Sequence, residues 1–138
     1  MTSKLIYLTY QTFPANTANS LQTITMLKYF SRSSYDVELI FPNRADNSSG
    51  DIEILQKHYD FKESYDVTLT KHNYPFRDYK TKVYFTKLRF HISHFLWSLN
   101  VVKRVTDDQK SDTLFFTRSD WVFYFLSKKN KNRFLIYL

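Results

Sequence analysis

The sequence predicts an α/β protein built on a doubly wound parallel sheet, and two observations support this prediction. Short apolar segments typical of buried strands alternate along the chain with segments in which apolar residues recur every three or four positions, as in helices. Strand and helix follow each other throughout, an order that requires crossovers between parallel strands. Because such crossovers are right-handed, we expect about five strands in the order 3-2-1-4-5, with helices on both faces.

Five segments are predicted as strands. In each, aliphatic, aromatic or threonine side chains follow one another, and polar residues or prolines bound the run. The second strand, for example, is stopped by Pro42 and Asn43. The predicted strands are Lys4–Tyr10, Tyr35–Phe41, Asp66–Thr70, Asp112–Thr117 and Arg133–Leu138.

Four segments are predicted as helices. The first follows Asn16 or Thr17, either of which can cap it, because the side-chain oxygen accepts from free N–H groups of the first turn. The third is the longest and carries apolar residues at steps of three and four, the strongest helical pattern in the chain. The predicted first helix runs from this cap to Phe30, with its apolar stripe at Leu21, Ile24, Leu27 and Phe30. The other predicted helices are Asp51–Tyr59, Tyr84–Val105 and Asp120–Ser127.

Composition limits the class of protein. A chain of 138 residues predicts one domain, and 43% hydrophobic and 19% aromatic residues are too many for a disordered chain. The absence of cysteine excludes disulfides and thiolate metal sites, and it fits a cytoplasmic location. No signal peptide is evident, and the most apolar runs are far shorter than the roughly 20 residues that cross a bilayer. We therefore expect a soluble protein, or one that contacts the inner face of the membrane peripherally.

The formal net charge of +7 has two interpretations. It fits anionic partners, namely nucleic acid, anionic lipid or phosphorylated substrates. It also fits a bias of composition, because Lys, Asn, Tyr, Phe and Ile are all abundant. The long third helix is basic and aromatic, which favours either a membrane surface or an ordinary crossover helix with its charges in water. His91 and His94 are spaced as two metal ligands on a helix, but no third ligand is evident, so no metal site is predicted.

The loop between the first strand and the first helix is the candidate binding site. In a doubly wound sheet, ligands bind in the crevice beyond the carboxyl ends of the strands, beside strand 1, where Gln11 to Ser20 must lie. Small side chains here let a ligand approach the backbone, and the helix N-terminus presents unpaired N–H groups. Pro14 stiffens the turn without a glycine. The alternative is an ordinary strand–helix connection with good capping residues.

Four sequence segments resemble one enzyme family. They are P-A-N-T-A-N-S-L-Q-T-I-T-M-L-K-Y-F (14–30), Y-D-V-E-L-I-F-P (35–42), D-T-L-F-F-T-R-S-D-W (112–121) and K-N-R-F-L-I-Y-L (131–138). In this order they resemble the N-terminal domain of retaining, family 4-like glycosyltransferases of the GT-B fold, whose first loop ends in A-N-S-x-Q. Residues 4–42 and 112–138 carry the similarity, and the middle of the chain matches in pattern only.

The resemblance implies a division of labour between two Rossmann-like domains that face each other across a cleft. The N-terminal domain holds mainly the acceptor, a glycan or a lipid-linked or envelope molecule. The C-terminal domain holds the nucleotide-sugar and a pair of glutamates that this sequence lacks. We therefore expect residues 1–138 to be the acceptor-side domain of a longer enzyme, inactive alone. The predicted last strand is apolar and has no helix after it to cover it, which also leads us to expect that the chain is a fragment. Transfer would proceed with retention, without metal or cofactor.

The resemblance also implies the site residues. The first loop is expected to contact the acceptor or the diphosphate, with Asn19 and Ser20 contributing side chains, and the exit of strand 4 to reach the same cleft. The expected residues are Pro14, Ala15, Asn16, Asn19, Ser20, Thr117, Arg118 and Ser119.

The Arg118 side chain has two possible roles. It can pair with a phosphate or carboxylate, or it can bond Asp120 or strand-end carbonyls. Many relatives carry a histidine where this chain has T-R-S-D, so the role of that histidine is not assigned to any residue of this chain. The catalytic residues stay unknown.

Two other functions remain open at the level of sequence. One is a stand-alone Rossmann-like binding or regulatory module without catalysis. The other is a basic nucleic-acid binder, favoured by the charge and the aromatic content. It ranks last because no recognised reading motif is present, and no specific nucleic-acid partner is expected.

Overall fold

The computed structural model of the chain describes residues 3–74, 86–108, 112–129 and 135–137. Strands and helices alternate along the described residues, as the sequence predicts. The strands are β1 (Lys4–Leu8), β2 (Asp36–Pro42), β3 (Asp66–Thr70), β4 (Leu114–Thr117) and β5 (Leu135–Tyr137). The helices are α1 (Ala18–Ser31), α2 (Ile52–Tyr59), α3 (Thr86–Asp108) and α4 (Asp120–Lys129).

The five strands form one parallel sheet in the order β3-β2-β1-β4-β5. The predicted fold class and strand order are therefore confirmed. β1 lies at the centre, where Leu8 is opposite both Ile40 of β2 and Thr117 of β4. Because the strands are parallel and in this register, the carboxyl ends of β1, β2 and β4 reach the same edge of the sheet. The loops that follow these three strands therefore lie close together at this edge.

Side chains alternate between the two faces of the sheet, so each strand contributes to two cores. Leu5 and Tyr7 of β1 point into the first core, with residues of α1 and α2. Ile6 and Leu8 point into the second core, with residues of α3 and α4. All four side chains are fully buried. Burial of this kind contributes roughly 1.5–3 kcal/mol per large apolar side chain, which is why the pattern in the sequence predicts the sheet.

The predicted element boundaries that fall on described residues agree with the structure to within three residues, and both ends of β3 coincide. β1 is predicted to continue to Tyr10 but ends at Leu8, and the chain bends at Tyr10. α3 continues to Asp108, past the predicted end at Val105. The predicted start of this helix at Tyr84 lies outside the described residues, as do both ends of the predicted fifth strand at Arg133 and Leu138. Within the part of the chain that the structure describes, no helix combines the length and apolar character needed to span a membrane.

Candidate binding cleft

The loop after β1 is anchored in the first core by Phe13. This side chain is fully buried, and its ring lies 5.0 Å from that of Phe41, edge to face. The peptide bond between Phe13 and Pro14 is cis. The carbonyl of Phe13 also accepts from the N–H of Ser49, which ties the loop to the segment after β2. The loop therefore has a defined course between β1 and α1.

Thr17 is the N-cap of α1. Its hydroxyl oxygen accepts from the N–H of Ser20 at 3.1 Å and lies 2.6 Å from the hydroxyl of Ser20. The sequence left Asn16 and Thr17 open for this position, and the structure selects Thr17. Ser20 is almost fully buried, and its hydroxyl also contacts the carbonyl of Thr12 at 3.5 Å. Ser20 thus links the loop to the start of α1. This structural role is separate from any contact that Ser20 makes with a ligand.

α2 holds the middle of the same loop. The hydroxyl of Tyr59 accepts from the N–H of Ala15 at 2.7 Å and donates to the carbonyl of Ala15 at 2.8 Å. Burial raises the pKa of Tyr59, so this phenol stays protonated and able to donate. Beside it, Nε2 of His58 lies 2.9 Å from Oδ1 of Asn16, an oxygen that accepts the hydrogen bond. These contacts join residues that are more than 40 positions apart in the sequence.

An open cleft of about 660 Å³ lies between this loop and the segment that follows β2. Five of the residues predicted for the site line it, together with amide, hydroxyl and charged side chains from both segments. Asn16 and Asn19 are exposed there, while Pro14 and Ser20 are buried below the surface. The predicted residues in the lining are Pro14, Ala15, Asn16, Asn19 and Ser20. A cleft of this size with this lining is large enough for a small polar ligand.

The three residues predicted at the exit of β4 do not line this cleft. Thr117 is fully buried, and its hydroxyl accepts from the N–H of Ser119 at 3.0 Å. The hydroxyl of Ser119 accepts from the N–H of Val122 at 3.2 Å and also bonds Nε2 of His94. Both side chains therefore hold the start of α4. Their predicted role toward a ligand stays a prediction.

Arg118 is half-buried and donates from a terminal nitrogen to Oε1 of Gln22 at 2.9 Å. This contact fixes the guanidinium beside α1. The acceptor of this bond is therefore neither Asp120 nor a strand-end carbonyl, the two partners considered from the sequence. A pairing of Arg118 with a phosphate or carboxylate also stays a prediction.

Arg44 is a cleft residue that sequence reasoning missed. A terminal nitrogen of its guanidinium donates to the carbonyl of Tyr10 at 2.6 Å, and the group lies 4.3 Å from the centre of the Tyr10 ring. A second ring, that of Phe90, lies 5.7 Å away. Arginine stacks on aromatic faces in this way because its planar charge is weakly hydrated. The sequence signal that could have indicated this residue is its position two residues after β2, because that strand ends at the same sheet edge as β1.

Behind Tyr10 lies a buried polar cluster. The hydroxyl of Tyr10 is 2.8 Å from Nε2 of His72 and 2.6 Å from the hydroxyl of Ser93. The ring of Tyr10 stacks on that of His94, with 4.5 Å between centres. Burial, together with the smaller effect of the nearby Arg44 charge, lowers the pKa of His72 and of His94 to about 4. Asp120 opposes this effect at His94. Both imidazoles are therefore neutral at neutral pH.

Metal chemistry finds no support in the described ranges. Residues 3–74, 86–108, 112–129 and 135–137 contain no group of three or more His, Cys, Asp or Glu side chains arranged to hold an ion. His94 is buried against Ser119, whereas His91 is exposed, so the two histidines of α3 face different surroundings.

Comparisons with known proteins give no family for this chain. No protein-family model matches it, no curated protein matches it, and no solved structure matches it. The resemblance to glycosyltransferases therefore stands on the residues quoted above, and the function is a proposal.

Proposed function

We propose that this chain is the acceptor-side, N-terminal domain of a retaining, family 4-like glycosyltransferase. The enzyme transfers a sugar from a nucleotide-sugar to a glycan or to a lipid-linked or envelope acceptor. One observation carries the proposal: the loop that resembles the family's A-N-S-x-Q segment lines a polar cleft at the carboxyl edge of β1. Doubly wound sheets bind ligands at this edge, so the motif and the cleft point to the same site.

The contents of the cleft suit the proposed ligands. Sugar hydroxyls both donate and accept hydrogen bonds, and the exposed amides of Asn16 and Asn19 offer both kinds of group. A departing diphosphate needs cations and N–H donors in place before charge develops. Arg44 supplies a positive charge on the cleft wall, held by the carbonyl and ring of Tyr10. In this proposal Arg44 replaces Arg118 as the first candidate for contact with phosphate.

The remaining parts of the enzyme lie in a second Rossmann-like domain. That domain holds the nucleotide and supplies the glutamate pair, neither of which the present chain offers. The residues described here bind and orient the acceptor, and they form one wall of the groove from which water is excluded. The proposed enzyme acts in the cytoplasm, at the inner face of the membrane when its acceptor is lipid-linked.

The test is a transfer assay on the complete product of the gene that encodes this chain. The product is incubated with a panel of nucleotide-sugars and glycan or lipid-linked acceptors, and labelled product is measured. We expect transfer with retained configuration, and none from residues 1–138 alone. Asn19→Ala is expected to lower kcat/KM about tenfold or more through the loss of acceptor contacts. Asn100→Ala, at an exposed position of α3 away from the cleft, is the matched control.

The rival function makes the opposite prediction. A stand-alone binding or regulatory module would bind a small ligand in the cleft, yet the complete gene product would hydrolyse or transfer none of the donors. Transfer that is insensitive to Asn19→Ala would also contradict the proposal, because the loop would then lie outside the acceptor site.

A further inference from the structure

Two consecutive residues of α2 hold two consecutive residues of the first loop. The hydroxyl of Tyr59 bonds both backbone groups of Ala15, and Nε2 of His58 lies 2.9 Å from Oδ1 of Asn16. The rings of His58 and Tyr59 contact each other edge to face, with 4.6 Å between centres. Tyr59 therefore fixes the backbone of the loop, whereas His58 acts on a side chain that lines the cleft.

The contact between His58 and Asn16 contributes little to the stability of the fold. Both side chains are exposed, and both line the cleft. A hydrogen bond between exposed groups has a small net value, because water offers each group an equivalent partner in the unfolded chain. Its consequence lies in the cleft instead, because the bond decides which end of the Asn16 amide a ligand meets.

The amide of Asn16 has an accepting end and a donating end. Its oxygen accepts from the N–H at Nε2 of His58, so this end is turned toward α2. The oxygen and the NH2 group are attached to the same planar carbon, so the NH2 group points away from His58. A ligand in the cleft therefore meets a hydrogen-bond donor at this position.

Arg44 offers further donors from the other side of the cleft. Its guanidinium is held by the carbonyl and the ring of Tyr10, and this group has five N–H donors and no acceptor. Asp46 lies in the same lining, and its carboxylate repels anions. A group that only accepts hydrogen bonds is therefore expected to bind near Asn16 and Arg44, away from Asp46.

We propose that His58 is a positioning residue, which turns the amide of Asn16 so that its NH2 group and Arg44 together bind an oxyanion of the ligand. Phosphate and carboxylate share this chemistry, because both present only acceptor oxygens when ionised. A phosphate would belong to a diphosphate, and a carboxylate to an acidic sugar of the acceptor. The identity of the ligand rests on the proposed function, whereas the geometry does not.

The tautomer of His58 is the first test, and it requires no ligand. If Oδ1 of Asn16 accepts, Nε2 of the neutral ring carries the hydrogen; with the amide reversed, Nε2 would accept and Nδ1 would carry it. Nitrogen NMR of the isotope-labelled chain at about pH 8, where histidine in water is neutral, distinguishes the two forms. We expect the hydrogen on Nε2. A hydrogen on Nδ1 would overturn the proposal.

The binding of inorganic pyrophosphate is the second test, followed by NMR through the amide shifts of the first loop. His58→Phe keeps a ring against Tyr59 but removes the donor to Asn16, so the Kd should rise about fivefold. His58→Gln supplies a side-chain N–H in place of Nε2, so the Kd should stay within about twofold of its original value. His91→Phe is the matched control, because it makes the same change at an exposed histidine outside the lining.

Titrations with glucuronate and with uncharged glucose identify the source of the oxyanion. Tighter binding of pyrophosphate, weakened in His58→Phe, assigns the position to a diphosphate. Tighter binding of glucuronate, weakened in the same variant, assigns it to an acidic sugar of the acceptor. Glucose that binds as tightly as either anion would overturn the proposal, as would the absence of binding by both anions. Equal losses in His58→Phe and His58→Gln would assign His58 a purely structural role.

Failure of this role and failure of the proposed transferase are distinguishable. A complete gene product that transfers no sugar would refute the transferase. The oxyanion site would still stand if His58 carries its hydrogen on Nε2 and His58→Phe alone weakens binding. Sugar transfer by the complete product, together with a hydrogen on Nδ1, would refute only the role of His58.

Discussion

The ring of Tyr10 stacks on the imidazole of His94 with 4.5 Å between centres and 15° between planes. This pair joins the end of β1 to α3 directly beside the cleft. The guanidinium of Arg44 lies 4.3 Å from the centre of the same Tyr10 ring, and its charge lowers the pKa of His94 in addition to the larger effect of burial. The wall of the cleft therefore depends on an imidazole that must stay neutral.

Acid is expected to destabilise the protein through this imidazole. The pKa of His94 falls from 6.5 to about 4 on folding, so between these values the unfolded chain binds more protons than the folded one. The stabilisation is complete above the unfolded pKa and is lost as the pH falls toward 4. Urea denaturation at about pH 7.5 and about pH 4.5 should show a loss of roughly 1–3 kcal/mol in the free energy of unfolding.

His94→Phe tests the assignment, because it keeps a ring against Tyr10 and removes the titrating group. The dependence of stability on pH should become shallower, with the remainder due to His72, whose pKa is also lowered to about 4. An unchanged dependence in His94→Phe would contradict the assignment.

The half-buried Tyr59 and the buried Tyr65 should respond differently to loss of the hydroxyl. Tyr59→Phe removes the two hydrogen bonds to Ala15 and leaves backbone groups unsatisfied, so we expect a loss of about 1–3 kcal/mol in the free energy of unfolding. The hydroxyl of Tyr65 is buried without a hydrogen-bond partner among the described residues. Tyr65→Phe should therefore be neutral or stabilise the protein by up to about 1 kcal/mol. Urea denaturation of both variants in parallel measures the difference; equal losses would refute this account.

The fold was readable from sequence because it depends on local patterns. In β1, Leu5 and Tyr7 point to one core while Ile6 and Leu8 point to the other, and this needs only an unbroken apolar run. The strand order follows from the handedness of crossovers, whatever the side chains.

The site was readable only in part, because side-chain directions beyond the strands are set by distant partners. The position of the first loop follows from topology, and Asn16 and Asn19 do line the cleft. Arg44 turns toward the cleft because Tyr10 and Phe90 hold its guanidinium, and Arg118 turns away from it to Gln22 on α1. These contacts join residues 34 to 96 positions apart, and no periodicity in the sequence encodes them.

The cap of α1 should be worth a measurable amount of stability. Thr17→Ala removes the acceptor for the N–H of Ser20, and we expect a loss of about 1 kcal/mol. Thr25→Ala is the matched control, because this threonine lies on the exposed side of the same helix and bonds only the carbonyl of Leu21. It should change stability by less than about 0.5 kcal/mol. Thermal unfolding of both variants decides the point, and similar shifts in Tm would show that Thr17 contributes no more than helix propensity.

Arg44 should dominate the affinity of the cleft for phosphate groups. The probe is inorganic pyrophosphate, titrated into the isotope-labelled chain while amide shifts of the first loop are followed by NMR. Arg44→Gln removes the charge from the cleft wall, and a charge-assisted hydrogen bond is worth about 1.5–3 kcal/mol, so the Kd should rise about tenfold or more. Arg118→Gln removes the same charge outside the lining, where the guanidinium already bonds Gln22, and should change the Kd by less than about threefold. If the two variants weaken binding equally, long-range attraction by the net charge accounts for it. If Arg118→Gln alone weakens it, the phosphate lies at the exit of β4, as the sequence first suggested.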